Sequence, residues 1–414
     1  MVFKGFRFSY GWIIVAAGFL VLFAECILYL YGVFLKPLIS EFGWSRTVAS
    51  SVHALTMVTY SVMIIPVGSL YDRYGPRALM GIGGVLTGLG LMLSGMTSSI
   101  WHLYVSFGLL VGVGMSPLYV SVMSTLMKWF VQKRGLATGI ATSGIGVGQW
   151  VMAPLSTYLI GAYGWRTSFI VVGAATMAML LTAASIVKRS PEELKLPSYE
   201  VGLKSTRYAL TVNGKALSLK EAVKTKVFWA LYLSFMLASL ALFIVMVHMV
   251  PYATDIGIDP SSASFALGLI GIAGITGKVV MGATSDRISR PLTLISCYLG
   301  EALTIPILLF SNNPLTLYLF AALFGFFYGG WIAMYTPITS DFFGLTHLGS
   351  ILGAMATTFG LGGAIGPTFA GYTFDLTGSY AAAFTACAII FVATAMLCGL
   401  ARGLKDGERR HTRA

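Results

Sequence analysis

The sequence predicts an all-α membrane protein: twelve transmembrane helices in two pseudo-symmetric six-helix bundles. Three observations predict it. Of 414 residues, 57% are hydrophobic and only 10% charged, whereas a soluble domain carries about 25% charged residues. Twelve apolar runs are long enough to cross a bilayer, which takes roughly 20 residues each. One polar loop recurs at the matching place in each half of the chain. The 48 glycines suit such a protein, because small residues let membrane helices approach closely.

The first run, 10–36, follows Lys4 and Arg7 and passes into Lys36 without a small-residue cleavage site. It reads as a span, not a removable leader. Runs 45–71 and 77–97 are separated by Arg73 and Arg77. Runs 100–127 and 135–161 are separated by Lys128, Lys133 and Arg134, and 165–187 closes the first half. After a polar linker come 226–252, 261–284, 291–311, 314–339, 348–372 and 379–401. Arg287 and Arg290 separate the eighth and ninth runs, and Arg402, Lys405, Arg409, Arg410 and Arg413 fill the tail. The opposite loops hold only Lys36, Arg46 and Arg166 as basic residues. The positive-inside rule then places both termini in the cytoplasm and the multi-pass chain in the plasma (inner) membrane. The expected domains are an N-terminal bundle (1–187), a cytoplasmic linker (188–225) and a C-terminal bundle with its tail (226–414). Within the linker, Ser218 and Glu221 have the spacing of a capping box, which predicts a short surface helix with Leu219, Ala222 and Val223 inward.

The net charge of +12 does not imply nucleic acid as a partner, since the basic residues lie in short loops between spans. Cys26, Cys297, Cys387 and Cys398 all lie in apolar runs and match no metal or disulfide spacing. No span carries a His, Cys and carboxylate cluster, so neither a metal, a cofactor nor an enzymatic centre is expected. What stands out instead is Lys278, a lone cation in the eighth run. At membrane depth a cation costs roughly 2.5–3.5 kcal/mol on insertion scales, so a functional partner is expected, and a small anion is the simplest one.

The repeated loop reads GSLYDRYGPRALM at 68–80 and GATSDRISRPLTL at 282–294, each joining the second and third spans of its half. It resembles the G-x-x-x-D-R-x-G-x-R signature of the major facilitator superfamily, fully in the first copy. The second copy has Ser289 where the signature has glycine. The resemblance implies the major facilitator fold: two bundles around a central cavity with alternating access. Asp72, Arg73, Asp286 and Arg287 are then candidates for a cytoplasmic gate.

Span five opens WFVQKRGLATGIATSGIGVGQ (129–149) and span one opens YGW (10–12). Together these resemble the monocarboxylate transporter family, and within it the bacterial lactate/proton symporter homologues. The oxalate/formate exchangers share much of the pattern. The resemblance implies that Lys278 occupies the place of a substrate-holding cation, usually arginine, and that Arg134 matches a gate arginine. Lysine binds a carboxylate as a point charge, without the planar two-pronged donor of arginine. Animal members carry an aspartate four residues earlier and a lysine in span one; here those places hold Gly274 and Tyr29.

Helical spacing then selects the other cavity candidates. They are Glu25, Leu28 and Tyr29 in span one, His53 and Tyr60 in span two, and Ser116 and Tyr119 in span four. In span eight Gly271, Gly274 and Gly282 leave space around Lys278. Span ten offers Tyr328, Trp331 and Tyr335. Tyr119 and Tyr335 would hydrogen-bond substrate, and Leu28 would wall its methyl group. His53 could contact substrate or carry a proton. Glu25 lies mid-span, where the neutral acid is the less costly form, which makes it a proton carrier. The expected function is secondary active transport of a short monocarboxylate such as lactate, with protons as co-substrate and lipid as solvent. The alternative is a small-carboxylate exchanger of the oxalate/formate type.

Overall fold

The computed structural model describes residues 10–130, 134–194, 217–344 and 348–411. Most of the linker, with Lys4, Arg7, Lys133 and Arg413, lies outside them. Ten continuous stretches are long and apolar enough to cross a membrane, and one of these, Gly135–Ile186, holds two helices. With Leu348–Thr377 the described residues form twelve helices. They are α1 (Tyr10–Phe42), α2 (46–74) and α3 (76–94), α4 (Ile100–Trp129), and α5 (134–163) and α6 (165–186). After the linker come α7 (Lys226–Asp255), α8 (Pro260–Arg287), α9 (Arg290–Leu309), α10 (Pro314–Phe343), α11 (Leu348–Thr377) and α12 (Ala381–His411).

Local chemistry sets the breaks. Gly75 turns α2 into α3 at φ 77°, and Gly164 turns α5 into α6 at φ 81°. A side chain at either place would be strained. Gly75 is the second glycine of the repeated loop. Its counterpart Ser289 has φ 175°, an extended backbone open to any residue, and its hydroxyl caps α9 at Leu292 N. The second copy therefore needs no glycine. In α4, Pro117 leaves the Val113 carbonyl without its usual N–H, and the Ser116 hydroxyl donates to it at 2.8 Å. Wide π-type turns span Tyr104–Val111 just before this. Asp259 caps α8; hydrogen bonds from Ser262 hold its carboxyl below the ordinary range. The capping box at Ser218 and Glu221 forms, but its helix is the single turn Leu219–Ala222, pinned by Leu217 N–H to the Phe343 carbonyl.

Packing reveals the internal symmetry. In the first bundle α1 lies on α5, α2 on α4, and α3 on α6; in the second, α7 lies on α11, α8 on α10, and α9 on α12. Each pair maps onto its partner by adding six. Between the bundles, α2 meets α11 and α5 meets α8, again a matched pair, while α1 meets α7 across the axis. Small residues bring these backbones together: a Cβ on Gly329 of α10 would collide with the Gly274 carbonyl of α8, and one on Gly32 of α1 with the Val247 carbonyl of α7. Val247 is the carbonyl that Pro251 leaves free. All four cysteines are buried and unpaired.

Candidate functional site

The start of α1 and the end of α6 meet at one face of the molecule, where the Tyr10 hydroxyl donates to the Ile186 carbonyl. We call this the terminal face and its opposite the loop face. The two matched seams between bundles are closed toward the loop face. On the α5–α8 seam, Gly268 of α8 lies against Trp150, and a Cβ on Gly271 would stand 2.6 Å from the Gly146 carbonyl of α5. Gly282, about three turns further along the same face of α8, has nothing within 4 Å. Gly139 and Gly135, the same-face positions on α5, likewise meet nothing within 4 Å. On the α2–α11 seam, Gly371, Gly363 and Gly360 abut Arg46, Met57 and Ser61, whereas Gly353 is open. The bundles thus close at the loop face and part toward the terminal face.

Lys278 lies on that α8 face, about two turns past Gly271, where the seam has begun to part. It is half-buried, and no carboxylate among the described residues lies within ion-pair distance of it. An ammonium so placed is open to an anionic guest. The sequence expectation that the α8 glycines leave space around it needs correction. Gly271 and Gly274 close helix contacts with α5 and α10, and only Gly282 opens space.

Further along the axis, α1 tightens into a three-residue turn at Cys26, between Glu25 and Ile27, where the Tyr29 N–H donates to the Cys26 carbonyl. Glu25 is 4% exposed. Its Oε1 accepts the Tyr60 hydroxyl at 3.1 Å, and Oε2 has no partner among the described residues. A buried acid with an idle oxygen has the form of a proton site. Tyr29 stacks on Phe243 across the bundle interface, with the Tyr328 phenol beside its own. Tyr119 is 39% exposed and within electrostatic reach of Glu25, Tyr328 and Tyr335. Tyr335 packs on Phe235 at 4.6 Å.

His53 and Leu28 sit differently from these. His53 is wholly buried, with Nε2 2.8 Å from the Leu28 carbonyl, and the Leu28 side chain is buried too. They join α2 to the tightened part of α1, and neither presents an open wall in this state. Trp331 turns from the axis into its own bundle, where its indole N–H donates to Glu301 Oε1 at 3.2 Å. That hydrogen bond engages one oxygen of the buried Glu301 of α9; its Oε2, like that of Glu25, has no partner among the described residues.

At the loop face Arg166 holds Glu41 within the first bundle, but other charges cross between the bundles. Asp255, at the end of α7, holds Lys36 of α1 and Arg46 of α2, each at 2.7 Å. Asp375, at the end of α11, accepts the Arg46 and Thr47 backbone N–H groups at 2.9 and 2.8 Å. The Arg46 guanidinium donates to the Tyr380 hydroxyl and lies 3.6 Å above the Phe374 ring. Beneath it, buried His248 links the Tyr380 hydroxyl (3.0 Å) to the Pro367 carbonyl (2.8 Å). Sequence reasoning used Lys36 and Arg46 only to assign topology and passed over both aspartates. The available signal was opposite charge on the sparse loops of the two halves.

The gate candidates of the repeated loop behave otherwise. Asp72 pairs at 3.5 Å with Arg189, past the end of α6, Arg73 lies over the Tyr74 ring, and Arg77 donates to the Ser185 carbonyl. In the second bundle Arg290 pairs with Asp341 of α10. All of these stay within one bundle, and the exposed Arg287 makes no ion pair among the described residues. The side chains of Arg134 and Asp286 lie outside the described residues.

A profile of the Major Facilitator Superfamily matches residues 17–277 and 231–414. Monocarboxylate transporter 12 of Mus musculus is 27% identical over 97% of this chain and 87% of its own length. Monocarboxylate transporter 13 of Bos taurus is 28% identical over 91% of this chain and 85% of its own. Among solved structures, a bacterial homologue of the human lysosomal transporter Spinster, in an inward-facing and unoccupied conformation, superposes with a TM-score of 0.66. It is 16% identical and covers 97% of each chain, which bears on the fold alone. Twelve helices in matched sixes, seams that close at one face, and a profile match along nearly the whole length agree: the chain belongs to the major facilitator superfamily, and these curated relatives are monocarboxylate transporters.

Proposed function

We propose that the protein carries a short monocarboxylate, lactate foremost, across the membrane together with a proton. The observation that carries this reading is Lys278: a cation on the wall of the parted seam, without a carboxylate partner among the described residues. A fixed ammonium at depth is costly when empty, and a carboxylate guest neutralises it. Tyr119 and Tyr335 would donate to the substrate oxygens, with Leu28 and His53 behind them. Glu25 would take and release the proton through its idle oxygen. The two bundles, 1–187 and 226–414, would rock about the site on the 188–225 linker. Asp72, Arg73, Arg134, Asp286 and Arg287 would meet across the terminal face in the other state. With both termini cytoplasmic in the plasma membrane, the state described here faces inward. The relatives' names support the substrate class.

Proteoliposome uptake of radiolabelled lactate under an imposed pH gradient tests the reading. Uptake should rise with an inward proton gradient, and Lys278→Gln should reduce it to the level of empty liposomes. Uptake indifferent to the gradient, but sustained by counter-anion inside, would instead favour exchange of the oxalate/formate type. Retained uptake in Lys278→Gln would remove the lysine from the site.

A further inference from the structure

Gln149 is enclosed in the closed part of the α5–α8 seam. It is 0% exposed, and neither its Oε1 nor its Nε2 has a hydrogen-bond partner among the described residues. The amide enters a space that two glycines of the opposing bundle create. A Cβ on Gly271 would stand 2.6 Å from Gln149 Oε1, and one on Gly268 would stand 3.3 Å from the Gln149 carbonyl oxygen. An apolar side chain would fill this contact without polar cost. A primary amide has two N–H donors and an acceptor oxygen to satisfy. Burying it unpaired penalises whichever state buries it. Parting α5 and α8 at the loop face would expose the amide to water.

We propose that Gln149 is a conformational counterweight: its stranded amide destabilises the loop-face-closed state and keeps the loop-face-open state within reach. It opposes the ionic clasp at Asp255, which favours closure. The inference rests on the alternating-access part of the proposed function and is independent of substrate and proton coupling.

The test uses the full chain with spin labels at Tyr163→Cys and Ser261→Cys, one exposed loop-face position on each bundle, since the four native thiols are buried. Pulsed EPR distances give the ratio of open to closed molecules. Gln149→Met, close in volume and apolar, should lower that ratio roughly fivefold or more. Gln149→Asn, which keeps an amide, should stay nearer the wild type. If the wild type is wholly closed, the thermal midpoint reads the same penalty, and Gln149→Met should melt higher while Gln149→Asn does not. An unchanged ratio and midpoint in Gln149→Met, or a more open protein, overturns the proposal. Failure of lactate uptake would leave it standing. A loop-face distance that stays fixed even in Asp255→Asn would overturn it together with the alternating access on which it rests.

Discussion

The two faces of the molecule use the same kinds of residue in opposite ways. At the loop face, Lys36 and Arg46 of the first bundle hold Asp255 of the second. At the terminal face, Asp72 holds Arg189 and Arg290 holds Asp341, each within its own bundle. An ion pair resists the separation of two bodies only if it spans them. The loop-face pairs at Asp255 therefore bear on which state the molecule occupies, whereas the terminal-face pairs, and the loop-face pair of Glu41 with Arg166 inside the first bundle, bear on how well each bundle holds together. The glycine seams agree, since contact fails toward the face whose charges stay at home.

The comparison can be broken most sharply at Asp255. It is the shared anion of the loop-face clasp and is 27% exposed in its side chain. Asp255→Asn should weaken loop-face closure by roughly 2 kcal/mol, because two cations lose one carboxylate. Spin labels across the loop face should then report a longer mean distance. A smaller effect is expected from Arg46→Lys, about 1 kcal/mol. It keeps the charge but loses the planar fork that serves Asp255 and Tyr380 together, and weakens the stacking on Phe374. Labelling of a loop-face thiol should speed up by a few-fold. The smallest effect belongs to Asp72→Asn. Its pair is 3.5 Å long and 75% exposed on the Asp72 side, so the loss should be about 0.5 kcal/mol or less, and it should vanish in high salt. The loop-face distance should not move. A large opening in Asp72→Asn would mean that the terminal-face pairs do govern the state, and the contrast between the faces would fail.

The fold was legible because its signals are long. Spans of some twenty apolar residues and a loop repeated in register survive the loss of any one residue. Helix ends were less so: α1 continues to Phe42 and α12 to His411, well past the apolar runs, because polar residues continue a helix once it has left the apolar layer. Lys278 stands out in the sequence for a similar reason, since a cation in an apolar run is costly. The loop-face clasp does not stand out. Lys36, Asp255 and Asp375 come from distant parts of the chain, and only tertiary packing brings them together. Faces assigned by spacing also misled where small residues were concerned. The spacing of Gly271 and Gly274 places them correctly on α8 but cannot say that other helices fill the space they leave. Ser289 shows the reverse case. It departs from the signature's glycine, and its extended backbone and capping hydroxyl make it a sound solution to the same turn.

One feature of the loop-face clasp bears on electrical behaviour. Lys36 and Arg46 on one bundle are matched by Asp255 and Asp375 on the other, so the four side chains sum to zero. Parting them sideways, in the plane of the membrane, moves no charge along the transmembrane field, where each elementary charge would gain or lose about 2.3 kcal/mol per 100 mV. An applied voltage should therefore act on Lys278 and its cargo, and leave the clasp indifferent.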